Sequence, residues 1–248
     1  MIIIKSPREI ELIRKSSRII AECFEKLKPY IEPGITTKEL DDIAISHIKS
    51  RGGESAFMGY NGFPGNICVS IDKEVVHGIP GNRKLEAGQI VSVDIGVILN
   101  NYYGDSARTF PVGDISEDKK NLLRVTKEGL MRGIREARVG NRLSDISHAI
   151  QAYVEMANYS IVRDLVGHGV GRRLHEEPQI PNYGKPHQGP RLMKGMVFAI
   201  EPMVNLGSFH VVVADDQWTI YTKDGMPSAH FEHTIAITGD EPEILSIL

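Results

Sequence analysis

The 248-residue chain is 41% hydrophobic and 25% charged, with a formal net charge of −3, the profile of an ordinary globular protein long enough to bury a core. It has no broad basic field to hold nucleic acid, no apolar run near the roughly 20 residues of a membrane helix, and no basic amphipathic stretch for a membrane surface. Its two cysteines, Cys23 and Cys68, exclude a disulfide framework and a cysteine metal cluster and point to a reducing cytoplasm; Met1–Lys5 is too short for a secretory leader.

In chain order, Ser6-Pro7-Arg8-Glu9 opens a helix with a capping box and proline at the first helical position. Ile10, Ile13, Ile20, Phe24 and Leu27 then recur at helical spacing, and Pro33-Gly34 marks the expected stop. A second helix is expected from Thr36 or Thr37 to Gly52-Gly53, a strand-rich region over about 66–110, helices over about 117–138 and 143–157, and strands again over about 197–238. The order helix, helix, strands occurs twice. Pro33-Gly34 is echoed by Val139-Gly140, His77-Gly78-Ile79 by His168-Gly169-Val170, and Val93-Asp94-Ile95 by Ile200-Glu201-Pro202. This predicts one domain, 1–248, made of two similar α+β halves, roughly 1–112 and 113–248, with a ligand site between them.

Within the first strand region, Val91, Val93, Ile95, Val97 and Leu99 alternate with Ser92, Asp94 and Gly96, so one face is apolar. Asn100-Asn101 suits a two-residue hairpin turn. That turn sets Leu99 opposite Tyr102 and Gly96 opposite Asp105, leaving Asp94 and Asp105 diagonal neighbours on one face, about 7–8 Å apart in backbone, unless a bulge shifts the register. Taken alone, the pair equally fits a charged hairpin with one face in water. The second half repeats the pattern: Glu201 shares a face with Ala199, and Glu232 with Thr234 and Ala236, while Phe198, Ile200, Phe231, Ile235 and Ile237 face the other way. Four carboxylates facing a common interior repel one another unless protons or cations neutralise them, and two divalent ions balance four negative charges. His168, between glycines, supplies an imidazole. Such an oxygen-rich set suits Mn, Fe, Co or Zn in a catalytic role.

Other motifs carry less. Gly167-x-Gly169-x-Gly171 lacks dinucleotide-loop spacing, and His175-Glu176-Glu177-Pro178 lacks the second histidine of a helical zinc-protease motif. A thiol dyad of Cys68 and His77 has nothing local to orient it, and a small buried cysteine is usually packing.

The chain resembles the type I methionine aminopeptidases along nearly its whole length. The resemblance is carried by Gly59-Tyr60-Asn61-Gly62-Phe63-Pro64, Cys68-Val69-Ser70, Val76-His77-Gly78-Ile79-Pro80, Val93-Asp94-Ile95-Gly96, Gly104-Asp105-Ser106, Gly167-His168-Gly169-Val170-Gly171, His175-Glu176-Glu177-Pro178, Gly195-Met196-Val197-Phe198-Ala199-Ile200-Glu201-Pro202 and Phe231-Glu232-His233-Thr234. It implies a pita-bread fold, two pseudo-symmetric αβ halves with helices outside a curved antiparallel sheet. It implies a hydrolase that removes N-terminal methionine before a small second residue, with two divalent ions held by Asp94, Asp105, His168, Glu201 and Glu232. Asp105 and Glu232 would bridge, Glu201 would also shuttle a proton, and His77 and His175 would bind substrate and the developing oxyanion. The methionine pocket would comprise Tyr60, Phe63, Cys68, His77 and Trp218, with Phe57 nearby; Leu174 stands where some members carry an aromatic residue. A monovalent cation would sit on carbonyls near Asp72, Glu74 and Ser228. The implied partners are nascent polypeptide N-termini at the ribosome, with no nucleic acid or membrane contact, and the chain is expected to be monomeric. By that resemblance the chain is expected to begin at the catalytic domain, without the zinc-binding extension of longer type I enzymes or the N-terminal domain of the sister prolidases and proline aminopeptidases. Those sister enzymes share the metal set and are the alternative hydrolase reading. A non-catalytic pita-bread binding module is the other alternative.

Overall fold

The computed structural model describes residues 1–248. Helices α1 (Pro7–Leu27) and α2 (Thr37–Ser50) precede strands β1 (Glu54–Ser55), β2 (Cys68–Ile71), β3 (Glu74–Val76), β4 (Ile90–Leu99) and β5 (Tyr102–Pro111). Helices α3 (Glu117–Glu136) and α4 (Leu143–Met156) then precede β6 (Ser160–Ile161), β7 (Gly167–Gly169), β8 (Glu176–Ile180), β9 (Val197–Ile200) and β10 (Met203–Asn205). The chain closes with β11 (Val211–Val213), β12 (Ile220–Thr222), β13 (Ser228–His230), β14 (His233–Ile237) and β15 (Pro242–Ile244).

Both N-terminal helices start on capping boxes, Ser6 with Glu9 and Thr36 with Glu39, which satisfy backbone N–H groups that the first turn leaves free. The first helix ends earlier than expected. Pro29 has no N–H to donate into the ladder, so α1 stops at Leu27 and a short 3-10 turn, Lys28–Tyr30, carries the chain on towards Pro33-Gly34. Ile13, Ile20, Phe24 and Leu27 are fully buried, each stabilising the fold by about 1.5–3 kcal/mol. Ile20, Phe24 and Leu27 pack with α2 against Val91, Val93, Ile95 and Val97 of β4, and Ile13 packs with Tyr102, Val170 and Val197. In the second half, α3 and α4 cover Phe198, Ile200, Ile235 and Ile237 of the sheet in the same way.

The pseudo-symmetry is visible in backbone hydrogen bonds. Gly34 N donates to Leu85 O and Thr37 N to Arg83 O; Gly140 N donates to Leu192 O and Leu143 N to Pro190 O. Gly34 and Gly140 hold φ of +101° and +96° at these two equivalent turns, a conformation that disfavours any residue with a Cβ. Helices lie outside and strands inside in both halves, the pita-bread arrangement. The strands form four antiparallel sheets rather than one continuous sheet. The largest two are β1–β4–β2, with β5 also on β4, and β15–β14–β9–β7–β8. Sheet β11–β12–β3 joins the two halves through Ile220 opposite Val76 and Tyr221 opposite Glu74.

The β4–β5 hairpin keeps the predicted register, with Leu99 opposite Tyr102 and Gly96 opposite Asp105 and no bulge. Asn100 and Asn101 both adopt positive φ, +52° and +62°, as a primed two-residue turn requires. Where β5 meets β13 and β14, side-chain hydroxyls replace a backbone ladder. Thr234 Oγ1 accepts from Asp105 N (3.0 Å) and donates to Asp105 O (2.7 Å). Thr109 Oγ1 does the same for His230, at 2.9 Å from its N and 2.8 Å from its O. Ser106 Oγ donates to Glu232 O at 2.6 Å.

Small residues let α1 lie directly on this hairpin: Ser16 Oγ donates to Tyr102 O at 2.8 Å, and Gly104 faces Ser17. A Cβ on Gly104 would stand 2.7 Å from both Ser17 N and Ser17 Oγ. Gly104→Ala is therefore expected to lower the unfolding free energy by about 1–3 kcal/mol, read as a lower urea midpoint at unchanged slope. An unchanged midpoint would disprove so close an approach.

Candidate metal centre and substrate slot

Every residue expected to be catalytic, to bind substrate or to hold a divalent ion lines one cavity of about 200 Å³. Asp94 comes from β4, Asp105 from β5, His168 from β7, Glu201 from just past β9, and Glu232 from between β13 and β14. Asp105, His168 and Glu232 are buried, while Asp94 and Glu201 keep part of their surface, which faces the cavity. One ligand atom from each of Asp105, His168 and Glu232 lies within 4.8 Å of the others.

The electrostatics of this group are unusual. No lysine or arginine pairs with any of the four carboxylates; the basic side chains near them are the imidazoles of His168 and His230. Burial pushes the Asp94 carboxyl up to about 7. Burial and then the charges of Asp94 and Glu201 push Asp105 well above the carboxylate range. Glu201 is raised by burial and then Asp94, and Glu232 by burial and then Asp105. His168 is held neutral, its pKa lowered to about 3 by burial and then by His175. Its Nδ1 lies 3.0 Å from Gly169 O, and a carbonyl can only accept, so Nδ1 carries the proton. Nε2 thus presents a lone pair 3.4 Å from Glu201 Oε1 and 3.7 Å from Asp105 Oδ2. Asp94 Oδ1, Asp105 Oδ1 and Glu232 Oε1 are buried without hydrogen-bond partners. Converging lone pairs with no donor among them fit a divalent cation, and the oxygen and nitrogen donors suit a catalytic rather than a structural ion.

Beside this group lies an apolar slot. Phe63 and Trp218 meet edge to face at 5.2 Å, and Phe63, Cys68, Phe57 and Leu174 form one buried cluster. Cys68 pairs directly with Asp94 across β2 and β4. Burial, then the charge of Asp94, pushes its thiol well up, so it stays protonated and does not serve as a nucleophile. His77, just past β3 with φ +60°, is neutral, its pKa lowered to about 4 by burial and then by His175. His175 stands at the mouth, its pKa lowered by burial. Tyr60 Oη lies 2.7 Å from His175 Nδ1, an orienting contact that sequence spacing does not reveal, because the two residues are 115 apart. Asn61 also lines the cavity without having been singled out.

The segments expected around a monovalent cation do meet: Ser228 N donates to Asp72 O at 2.8 Å. The cationic neighbour of Asp72 in this structure is Lys119, whose Nζ is 2.6 Å from Asp72 Oδ1 and 2.7 Å from Gly88 O.

Known proteins share both the sequence and the fold. The model for metallopeptidase family M24 matches residues 11–239. Methionine aminopeptidase 1 of Bacillus subtilis is 59% identical over 246 residues, 99% of each chain. The crystal structure of methionine aminopeptidase from Rickettsia prowazekii is 41% identical and matches over 100% of both chains with a TM-score of 0.98. The prolidase from Pyrococcus furiosus, 24% identical with a TM-score of 0.80 and 66% covered, shares the fold.

The raised carboxyl pKa values set a pH dependence for metal binding. Protons occupy the donor oxygens below the folded-state pKa, about 7 for Asp94, and a cation displaces them. The stabilisation given by a divalent ion is therefore present above that pH and lost as the pH falls through it. Adding Mn²⁺ to chelator-stripped protein is expected to raise the melting temperature more at about pH 8 than at about pH 5.5. A gap that stays constant or grows at the lower pH would contradict this.

Proposed function

The chain belongs to metallopeptidase family M24, and from that membership we propose that it removes the N-terminal methionine from peptides and nascent proteins whose second residue is small. The observation that carries this reading is the meeting, in one cavity, of four carboxylates and a neutral imidazole with a slot of aromatic and sulfur groups. In this reading Asp94, Asp105, His168, Glu201 and Glu232 would hold two divalent ions, whose four positive charges would balance the carboxylates. When bound, such ions polarise a carbonyl oxygen and bring the pKa of water into the neutral range.

The side chains of the chain supply the rest. Phe57, Phe63, Cys68 and Trp218 receive the methionine thioether, a polarisable group suited to aromatic walls. Seating that side chain holds the first peptide bond over the carboxylates, so orientation is set by binding. Glu201, whose carboxyl is raised by burial, takes a proton from the attacking water and passes it to the leaving amine. Tyr60 Oη lies 2.7 Å from His175 Nδ1; in the tautomer where the phenol donates there, His175 Nε2–H is a donor for the developing oxyanion. His77, a neutral residue lining the same cavity, is a second donor towards the substrate.

The whole chain, 1–248, acts in this reading as one catalytic domain whose duplicated halves each contribute two carboxylates. It works as a monomer in the cytoplasm on N-termini emerging from the ribosome. No helix is long and apolar enough to cross a membrane. A monovalent cation near Asp72 is a further element of the reading.

Two measurements test it. Met-Ala-Ser is expected to be cleaved after methionine in the presence of Mn²⁺ or Co²⁺ and left intact with a chelator. Preference for an Xaa-Pro dipeptide would move the chain to the prolidase branch, and no metal-dependent cleavage of either would leave a binding module. Separately, His175→Ala is expected to lower kcat by about 10²–10³ with metal content by elemental analysis unchanged. Loss of metal together with activity would instead make His175 part of the metal site.

A further inference from the structure

We infer that His230 is the positioning residue of Glu201: the buried imidazole N–H that serves the outer oxygen of that carboxylate and fixes which oxygen faces the centre. The inference rests on the proposed metallopeptidase reading and assigns a role to a residue outside its ligand set.

Glu201 Oε1 faces His168 Nε2 at 3.4 Å, and Glu201 Oε2 faces His230 Nε2 at 4.0 Å. His168 has spent its proton on Gly169 O and offers Glu201 no donor. His230 is different. It is 2% exposed, and neither Nδ1 nor Nε2 has a hydrogen-bond partner. An imidazole carries at least one N–H, and leaving it unmatched in the interior costs about 1–3 kcal/mol. The carboxylate oxygen that faces it is Glu201 Oε2, and a ring tilt of about 1 Å closes the contact to hydrogen-bond length. Hydrogen bonds in resting active sites are commonly long and tighten when the site is loaded.

The backbone around His230 is built to hold this aim. Thr109 Oγ1 takes His230 N–H and returns its own proton to His230 O, while Ser92 Oγ bonds the same hydroxyl at 2.8 Å. His230 also lies opposite Met203 in the β10–β13 pair, two residues beyond Glu201. The Glu201 carbonyl is itself anchored by Asn182 Nδ2 at 3.2 Å. Both residues are thus fixed by their backbones, and each side chain meets the other. Ligand carboxylates held by such outer partners typically lose about 10–100-fold in metal affinity when the partner is removed.

The test is calorimetric titration of Mn²⁺ into chelator-stripped protein, with circular dichroism to verify folding and steady-state kinetics on Met-Ala-Ser. His230→Leu is expected to bind Mn²⁺ about 10–100-fold more weakly and to lose kcat with little change in KM. His230→Gln, which keeps an N–H of similar reach, should recover most of both. Folded His230→Leu with the parent's affinity overturns the inference, as does His230→Gln binding no better than His230→Leu. Should the leucine variant not fold, His230→Asn decides: its amide is too short to reach, so weak binding supports the inference and parental affinity overturns it. A parent protein that itself binds no Mn²⁺ overturns the metal reading together with this inference.

Discussion

Four carboxylates stand at the centre of this fold with no lysine or arginine among them. Most of what surrounds them follows from that. Like charges in a poorly solvated interior disfavour ionisation, and the raised pKa values of Asp94, Asp105, Glu201 and Glu232 express that cost. A single sheet carrying all four on adjacent strands would concentrate the repulsion in one element. Here each half contributes two, and each half has its own apolar core between sheet and helices. The charge is thus borne by two well-packed layers, and the stability of each comes from side chains facing away from the centre.

The seam between those layers has to be exact in position without being apolar. A backbone ladder crosses it only where β12 pairs with β3; beside the carboxylates, between β5 and the β13–β14 segment, one backbone bond from Glu232 N to Ala107 O is joined by hydroxyls that do most of the work. Thr234 grips both backbone groups of Asp105, Thr109 grips both of His230, and Ser106 binds Glu232 O. A threonine hydroxyl that accepts and donates at once satisfies two buried groups with one small side chain. It also leaves the neighbouring carboxylate side chains free of internal partners, as their unmatched oxygens show. The backbone is satisfied within the protein, while the side-chain oxygens are kept for a ligand.

Local chemistry made much of this legible in the sequence. Capping boxes at Ser6 and Thr36 located two helix starts, and Asn100-Asn101 with the alternation of Val91 to Leu99 set a register that the structure keeps. The common face of Asp94 and Asp105 followed from period-two alternation together with the Asn100-Asn101 turn, and the faces of Glu201 and Glu232 from alternation. Pro29 was an equally local signal, yet Pro33-Gly34 drew the expected helix end past it. What stayed hidden depends on distance along the chain. The Thr109 clamp on His230 spans 121 residues, the Tyr60 contact with His175 spans 115, and Lys119 reaches Asp72 from α3. None of these has a spacing rule, because side-chain meetings of this kind are fixed by tertiary packing rather than by helix or strand period. The division of the strands into four sheets was hidden for the same reason.

The slot and the carboxylate centre are not separate devices placed side by side. Cys68 is the direct cross-strand partner of Asp94, and opposed side chains on one face have Cβ atoms about 4.5–5.5 Å apart. One wall of the apolar slot is therefore built from the same strand pair that holds a carboxylate of the centre. Gly96, next on that face, lets Phe57 lie against the hairpin; a Cβ there would stand 2.5 Å from Phe57 Cε1. Any side chain at 96 would press on both Phe57 and Ala56. Strand pairing and one missing Cβ thus fix the wall of the slot nearest the carboxylates, while Phe57, Phe63 and Trp218 come to it from the connecting segments. In the proposed reading, a side chain that fills the slot brings its own peptide bond to the carboxylates and one that cannot enter leaves its bond out of reach, so selectivity for the first residue and reactivity at the first bond are coupled through the β2–β4 pair that carries both Cys68 and Asp94.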